Sequence, residues 1–341
     1  MVQFLKHIMT MNVNSFFIGL FLFLMFSCSN SKRKEVFLSD VPVEYLSFHS
    51  YSIDSILLYP RSLNIYQDFL LIMEPRLNDS IYSLWDRNTN TYLCSFGAKG
   101  VGPNQLINPR SDYYFSTDST FFILDSNIER EVCLKNNQLH ILRNNPIVIP
   151  DAINQMVKIG VDKYITAGFT SGKNGEHILY ENGDYSFFGE YPDLSIDDEE
   201  RFKLNYKLCV GDLDKKLLFD FYFHKNLIRI YDFSGKLIND ININTNSVLC
   251  EEEAISKVTF FKLKSNNSFL ASLYNMKYSM EELYSGTTYC LELQLWNWNG
   301  ELKRRIMFDK PFDLYTISED NVLYAIDSNN PYMIFIYDFK Q

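Results

Sequence analysis

The feature that most restricts the fold of this 341-residue chain is a motif that returns along its length. In each copy an apolar run ends in an aromatic residue. An acid or amide follows, then a polar turn and a second run. Ser83-Leu84-Trp85-Asp86 leads into Arg87-Asn88-Thr89-Asn90, and Ile178-Leu179-Tyr180-Glu181 into Asn182-Gly183-Asp184. Arg229-Ile230-Tyr231-Asp232 leads into Phe233-Ser234-Gly235, and Gln294-Leu295-Trp296-Asn297 into Trp298-Asn299-Gly300. Phe335-Ile336-Tyr337-Asp338 is a further copy, and Val132-Cys133-Leu134-Lys135 before Asn136-Asn137 is a degenerate one. A four-stranded propeller blade takes about 40 to 50 residues. Six copies at that spacing predict a six-bladed β-propeller, and the long interval between Tyr231 and Trp296 predicts an insertion at residues 274–288. Asn-Gly and Ser-Gly supply the positive φ that tight hairpins require.

Composition agrees with an all-β fold. Aromatics make up 16 % of the chain, and aromatic and β-branched side chains suit a pleated, half-buried surface. Beyond residue 50, apolar runs alternate with turn residues and no helical period persists. After Asp338 only Phe339, Lys340 and Gln341 remain, too few for the outer strand of the last blade. The strand-like segment Val43 to Tyr51 is therefore expected to supply it and close the ring, removing exposed sheet edges. One short helix is expected between blades 3 and 4, where Ser195 can cap a first turn holding Asp197, Asp198, Glu199 and Glu200.

Residues 16–26 form an apolar run too short to span a bilayer and suited to the h-region of a secretory signal. It ends at Ser27-Cys28. A small residue followed by Cys after an h-region resembles a bacterial lipobox, although Phe26 is bulkier and Met25 differs from the usual pattern. That resemblance implies a diacylglycerol on Cys28, residues 1–27 as a lipoprotein signal peptide, 28–42 as a tether and 43–341 as the propeller. The membrane is then reached through the lipid anchor. Lys32-Arg33-Lys34 reads as a solvated tether. The residues after Cys28 are basic, so the acidic export tag of many surface lipoproteins is missing and the periplasmic side is expected. A net charge of −10 argues against nucleic acid, whose binders neutralise phosphates.

Phe96 to Pro109 reads Phe-Gly-Ala-Lys-Gly-Val-Gly-Pro-Asn-Gln-Leu-Ile-Asn-Pro. It resembles the inter-blade loop of the TolB-like and NHL-like six-bladed propeller lipoproteins of Bacteroidetes. Gly97, Gly100, Gly102, Pro103 and Pro109 match, while Gln105 stands where that family often has Glu and Leu106 where it often has Phe. The resemblance implies the fold and an envelope location, and carries no defined activity. A phosphate cradle is excluded because Pro103 follows Gly102 and no helix pattern comes after.

No cofactor motif is present, and the five His show no metal-ligand spacing. Cys94, Cys133 and Cys290 lie in strand-like runs, where a free Cys acts as a small buried hydrophobe. Asp54-Ser55-Ile56, Asp79-Ser80-Ile81 and Asp118-Ser119-Thr120 look like O-glycosylation acceptors of Bacteroides-type periplasms. The leading expectation is a binding or scaffold module for a protein partner in the envelope. Its candidate contacts are the loop cations Arg76 and Arg110 and, in the insertion, Tyr274, Met276, Tyr278, Met280 and Tyr284, types enriched at interfaces. The alternative is a metal-dependent hydrolase or lactonase-like enzyme at the central tunnel, with Asp112 and Asn154 as oxygen donors.

Overall fold

The repeated acid or amide has a local structural job. Asp86 Oδ1 accepts the backbone N–H groups of Asn88 (2.8 Å) and Thr89 (2.9 Å). Asp232 Oδ1 does the same for Ser234 and Lys236, and Asn297 Oδ1 for Asn299 and Glu301. Each side chain nucleates the turn that follows its strand. The preceding aromatic faces inward: Trp85, Tyr231, Trp296 and Tyr337 are all nearly inaccessible. The motif is thus the third strand of a blade and the hairpin that turns it into the fourth.

The computed structural model describes residues 32–52, 57–77, 79–136, 138–148, 153–168, 175–192, 203–245, 258–275, 277–285 and 287–339. Six sheets result, with consecutive strands laid from the inside out and N-terminal strands added on the outside of the last three blades. Blade 1 contains Ser62–Tyr66, Phe69–Met73, Tyr82–Asp86 and Thr91–Phe96. Blade 2 contains Phe115–Ser116, Phe121–Asp125, Ile128–Lys135 and Gln138–Pro146. Blade 3 contains Ile153–Gly160, Lys163–Gly168, His177–Glu181 and Asp184–Phe188. Blade 4 contains Lys207–Asp212, Leu217–Tyr222, Leu227–Asp232 and Leu237–Asn244. Blade 5 contains Phe260–Ser265, Phe269–Tyr274, Glu292–Asn297 and Leu302–Phe308. Blade 6 contains Leu314–Ile317, Val322–Ile326 and Met333–Asp338, and takes its outer strand, His49–Ser52, from the N-terminal segment. The fold is a six-bladed β-propeller.

The N-terminal segment does more than the one strand expected of it. His49–Ser52 runs antiparallel to Met333–Asp338, with His49 opposite Ile336, and Phe48 packs edge-on against Phe335. Just upstream, Val43–Leu46 lies parallel to the outer strand of blade 5, and Lys32–Phe37 lies parallel to that of blade 4. Between them a 3-10 turn, Leu38–Asp40, buries Leu38 in the apolar cluster shared by blades 4 and 5. Arg304 forks onto Glu44 (Nη2 to Oε2, 2.5 Å), and Arg305 donates to the carbonyls of Leu38 and Val41. The basic stretch at 32–34, expected to be solvated, is paired as strand along its backbone because two blades end in open edges that it covers. The result is a belt across three blades.

Two other expectations fall differently. The expected helix between blades 3 and 4 lies mostly on residues outside the described ones, with Lys203 and Leu204 helical at its end. The short helix described in full is Met280–Tyr284 in the insertion, where Ser279 and Glu282 form a capping box.

The Phe96–Pro109 loop shows why its glycines are needed. The Gln105 side chain fills the loop and accepts the Gly102 N–H at 2.8 Å. A Cβ at Gly100 or Gly102 would stand 2.1 or 2.8 Å from Gln105 Oε1. Asp125, fully buried, receives the N–H groups of Ile107 and Asn108 and ties the loop's end to blade 2. Pro109 bridges to that same strand.

Deleting residues 36–52 is expected to abolish soluble folding, because blade 6 loses its outer strand and blade 5 its cover. A thermal melt of the truncated chain that is cooperative and unshifted would contradict the closure.

Candidate functional site

Chain direction sorts the loops between the two faces. Hairpins joining strands 1 to 2 and 3 to 4 are short and lie on one face. The connections from strand 2 to 3 and from blade to blade start and end on the other, and several of these are long: 74–81, 97–114, 189–206, 245–259 and the insertion 275–291. Function on propellers, as on other rigid scaffolds, gathers where loops are long.

The inner strands surround a central tunnel. At its long-loop mouth is a cavity of about 570 Å³, within the range of small-molecule sites. Its wall includes Arg61 at the edge of blade 1, Asp112 before blade 2, Tyr206 before blade 4, and Lys262 and Lys264 on the inner strand of blade 5. Met280 on the insertion helix and His224 complete the rim. Lys262 and Lys264 stand two residues apart in the regular ladder that follows a bulge between Phe260 and Lys262, so they share one face of that inner strand. Lys264 reaches across to blade 1 and donates to Asn64 Oδ1 at 2.7 Å. Burial in the tunnel wall, with Lys262 adjacent, pushes the Lys264 ammonium down to about 8, and burial also lowers Lys262. The opposite mouth is lined by Asp118, Asp212, Asp214 and Glu319, with Lys158 and Lys264 on its inner wall. Carboxylates are thus concentrated at that end of the tunnel and cations at the other.

A second polar constellation lies between blades 3 and 4, out of solvent. Glu176 precedes the third strand of blade 3 and His177 opens it. Lys207, Asp220, Tyr222, Arg229 and Tyr231 come from the first three strands of blade 4. Lys207 Nζ is 2.8 Å from Glu176 Oε2 and 3.2 Å from Asp220 Oδ2. Tyr222 donates to Glu176 at 2.7 Å, and Tyr231 donates to the other carboxylate oxygen. His177 Nε2 is 2.8 Å from Asp220 Oδ2, and its ring stacks on Phe188. Burial works to raise the Asp220 carboxyl, but His177 and Lys207 outweigh it and hold the group well below the carboxylate range. The same contest, decided by Lys207, lowers Glu176. Burial, with Asp220 directly opposite on the next strand, pushes the Cys209 thiol up, the wrong direction for a nucleophile.

His177, Cys209 and Asp220 bring possible ligand atoms within 4.8 Å of one another. Lys207 already supplies Asp220 with a cation, so the group is best understood as an ion-pair lock between blades. A related lock joins blades 2 and 3, where Lys158 Nζ is 2.7 Å from Glu129 Oε2 and Tyr164 donates to that carboxylate at 2.6 Å.

The residues expected at a partner surface do not form one patch. Tyr274 is the last residue of a blade 5 strand, 2 % exposed, its hydroxyl donating to Asn226 Oδ1. It is core and not a surface contact, because that strand runs further into the expected insertion than the repeat showed. The Tyr278 ring lies tilted against that of Tyr289, centroids 4.0 Å apart, and packs on the apolar core. Met280 reaches the cavity rim, and Tyr284 ends the helix. Arg76 is exposed, its guanidinium 5.0 Å above the Tyr59 ring. Arg110 is bonded to Asp112 (Nε to Oδ1, 2.8 Å). Cys28, Met276 and the Asn154 and Tyr284 side chains lie outside the described residues.

Arg61, Lys262 and Lys264 escaped the sequence reading. Part of the signal was there, since Phe260–Ser265 is the inner strand of its blade and carries Lys262 and Lys264, but the inner-strand residues Lys158 and Lys207 are buried between blades, so position on an inner strand does not by itself assign a charge to the tunnel.

No family profile matches the sequence, and no curated protein matches it. Solved structures do match in fold. A Bacteroides fragilis protein described as exported shares 9 % identity over 91 % of this chain and 99 % of its own, with a TM-score of 0.52. A member of the DUF4221 family from Bacteroides vulgatus shares 9 % identity over 88 % of this chain and 97 % of its own, with a TM-score of 0.55.

Glu176→Gln leaves Lys207 and Arg229 short of a buried counter-charge and is expected to cost about 3 to 5 kcal/mol of stability in urea unfolding at pH 7. Because Glu176 and Asp220 titrate lower in the folded than in the unfolded chain, their stabilisation is present above the ordinary carboxylate range. It is lost as pH falls below about 4. The wild type should therefore lose more stability than Asp220→Asn between pH 6 and pH 3. Parallel pH profiles would remove the lock from the account of the fold.

Proposed function

We propose that this chain is an exported, lipid-anchored envelope propeller that acts as a binding module, receiving a partner at the long-loop mouth of its tunnel. The observation that carries the reading is the 570 Å³ cavity framed by inter-blade connections and the insertion helix. The insertion spends Tyr274 and Tyr278 on its own blade, and among its described side chains Met280 stands at the rim. The partner is accordingly taken to be an envelope protein that presents a segment to the mouth.

Export and anchoring rest on the apolar run before Ser27-Cys28. The similar protein described as exported supports export. Assignment to the TolB-like or NHL-like subtype rests on the Phe96–Pro109 loop. The hydrolase reading has less support. A calcium ion takes roughly six to eight oxygen ligands, whereas the described wall of this mouth offers one carboxylate, Asp112, engaged by Arg110 and set among cations.

Two measurements test the proposal. Cys28→Ala should move the protein from the membrane to the soluble fraction, and retention in the membrane would sink the anchor. A photo-crosslinking residue at Met280 should capture a partner in intact cells, while the same residue at Lys236, an exposed hairpin position on the opposite face, should not. Equal capture from both positions would refute the mouth as the binding face.

A further inference from the structure

We infer that what enters this mouth presents an acidic oxyanion, a carboxylate or phosphate, which is received between Arg61 of blade 1 and Lys262 and Lys264 of blade 5. The inference deepens the binding reading and rests on it.

Three observations carry it. First, these cations have no ion pair among the described residues. The carboxylates near enough to act on Lys262 are Asp313 and Asp112. Asp313 accepts from the Ser328 N–H (2.8 Å) and hydroxyl (2.7 Å), and Asp112 is bonded to Arg110. Lys264 donates to a neutral amide oxygen of Asn64. Lys262 has its ammonium 5.5 Å from the Phe261 ring centre. Second, the chain holds 42 acidic against 32 basic residues, so partners for stray cations are in excess. Elsewhere they are used: Lys158, Lys207, Arg229, Arg304 and Arg305 each meet a carboxylate. Two lysines and an arginine converging without one is a repulsive arrangement that a ligand anion would relieve.

Third, the surroundings fit an anion attached to a larger body. Tyr206, Phe261, Leu208 and Met280 line the same cavity. Lys264 sits deep enough for burial to bring its ammonium to about 8, so it stays charged at neutral pH while carrying few competing waters. The groups facing it are Lys262 on its own strand, Asn64 from blade 1 and Asp112 from blade 2. An oxyanion on Lys264 would strengthen its hold on the proton, and losing that proton would weaken the oxyanion's hold in turn.

The test uses the purified full chain and two fluorescent probes of like shape. 8-Anilino-1-naphthalenesulfonate carries a permanent negative charge that stands in for the carboxylate or phosphate, and N-phenyl-1-naphthylamine is neutral. The wild type should bind the sulfonate, with affinity falling between pH 7 and pH 9.5 as Lys264 loses its proton. The double variant Lys262→Gln with Lys264→Gln should lose about tenfold in sulfonate affinity. It should bind the neutral probe as the wild type does and melt no lower. Displacement by citrate would identify a carboxylate and displacement by inorganic phosphate a phosphate. Sulfonate affinity that is unchanged in the variant and flat with pH would overturn the inference while the cavity reading stands. A wild type that binds neither probe would overturn both. The pH profile needs no variant, so a misfolded double mutant leaves the inference exposed to refutation.

Discussion

Everything in this propeller depends on the meeting of His49–Ser52 with Met333–Asp338. A propeller is a ring of sheets, each packing its faces on two neighbours, and a ring that is not closed exposes two whole faces to water. Here the closing blade is made from both ends of the described chain, so the tunnel exists only when they are paired. Because the segment goes on to pair with blades 5 and 4, pulling its upstream end free opens two parallel ladders before it reaches the closing strand. The Glu44–Arg304 fork and the Arg305 contacts to Leu38 and Val41 hold it at the middle. A chain tethered through residues just upstream would transmit load into this belt first, and the two added strands shield the closure from it.

Apolar packing between blades is strong but has little directional preference, since one flat apolar face can slide on another. The buried carboxylate–lysine locks remove that freedom. Glu129 with Lys158, and Glu176 with Lys207, join the third-strand region of one blade to the inner strand of the next, each with a tyrosine hydroxyl on the same carboxylate. Replacing such pairs with apolar residues need not weaken a protein, so their value lies in register more than in total stability. Register matters here because the tunnel mouth is assembled from one short inner-strand segment per blade. A slip of one residue would turn the wall side chains away from the cavity.

The fold was legible because the repeat carries a mechanism in short range: an aromatic for the blade interior and an oxygen acceptor that folds the next turn. Asp86, Asp232 and Asn297 make those bonds within four residues, so the pattern survives in one dimension. Closure by the N-terminal segment was legible by counting strands. The belt over blade 4 was not, because Lys32-Arg33-Lys34 has the composition of a tether and its backbone pairing is parallel and long-range. The ion-pair lock was not, because Glu176, Lys207 and Asp220 come together only when two blades pack. The burial of one insertion residue was not legible either: Tyr274 looks like a surface aromatic until the second strand of blade 5 is seen to include it. In each case the missed property is tertiary.

The charge distribution makes a further demand on any occupant of the mouth. A protein of net charge −10 repels anions at long range, but at physiological ionic strength that repulsion is screened within about 8 Å. Inside the cavity the balance reverses, because Arg61, Lys262 and Lys264 act at short distance through a poorly screened interior. The acidic residues at the far mouth oppose passage of an anion straight through. Such a profile disfavours a highly charged polyanion, which meets the outer repulsion with every charge it carries. It favours a molecule with a single acid group on a mostly uncharged body, which meets that repulsion once and recovers more at the three cations.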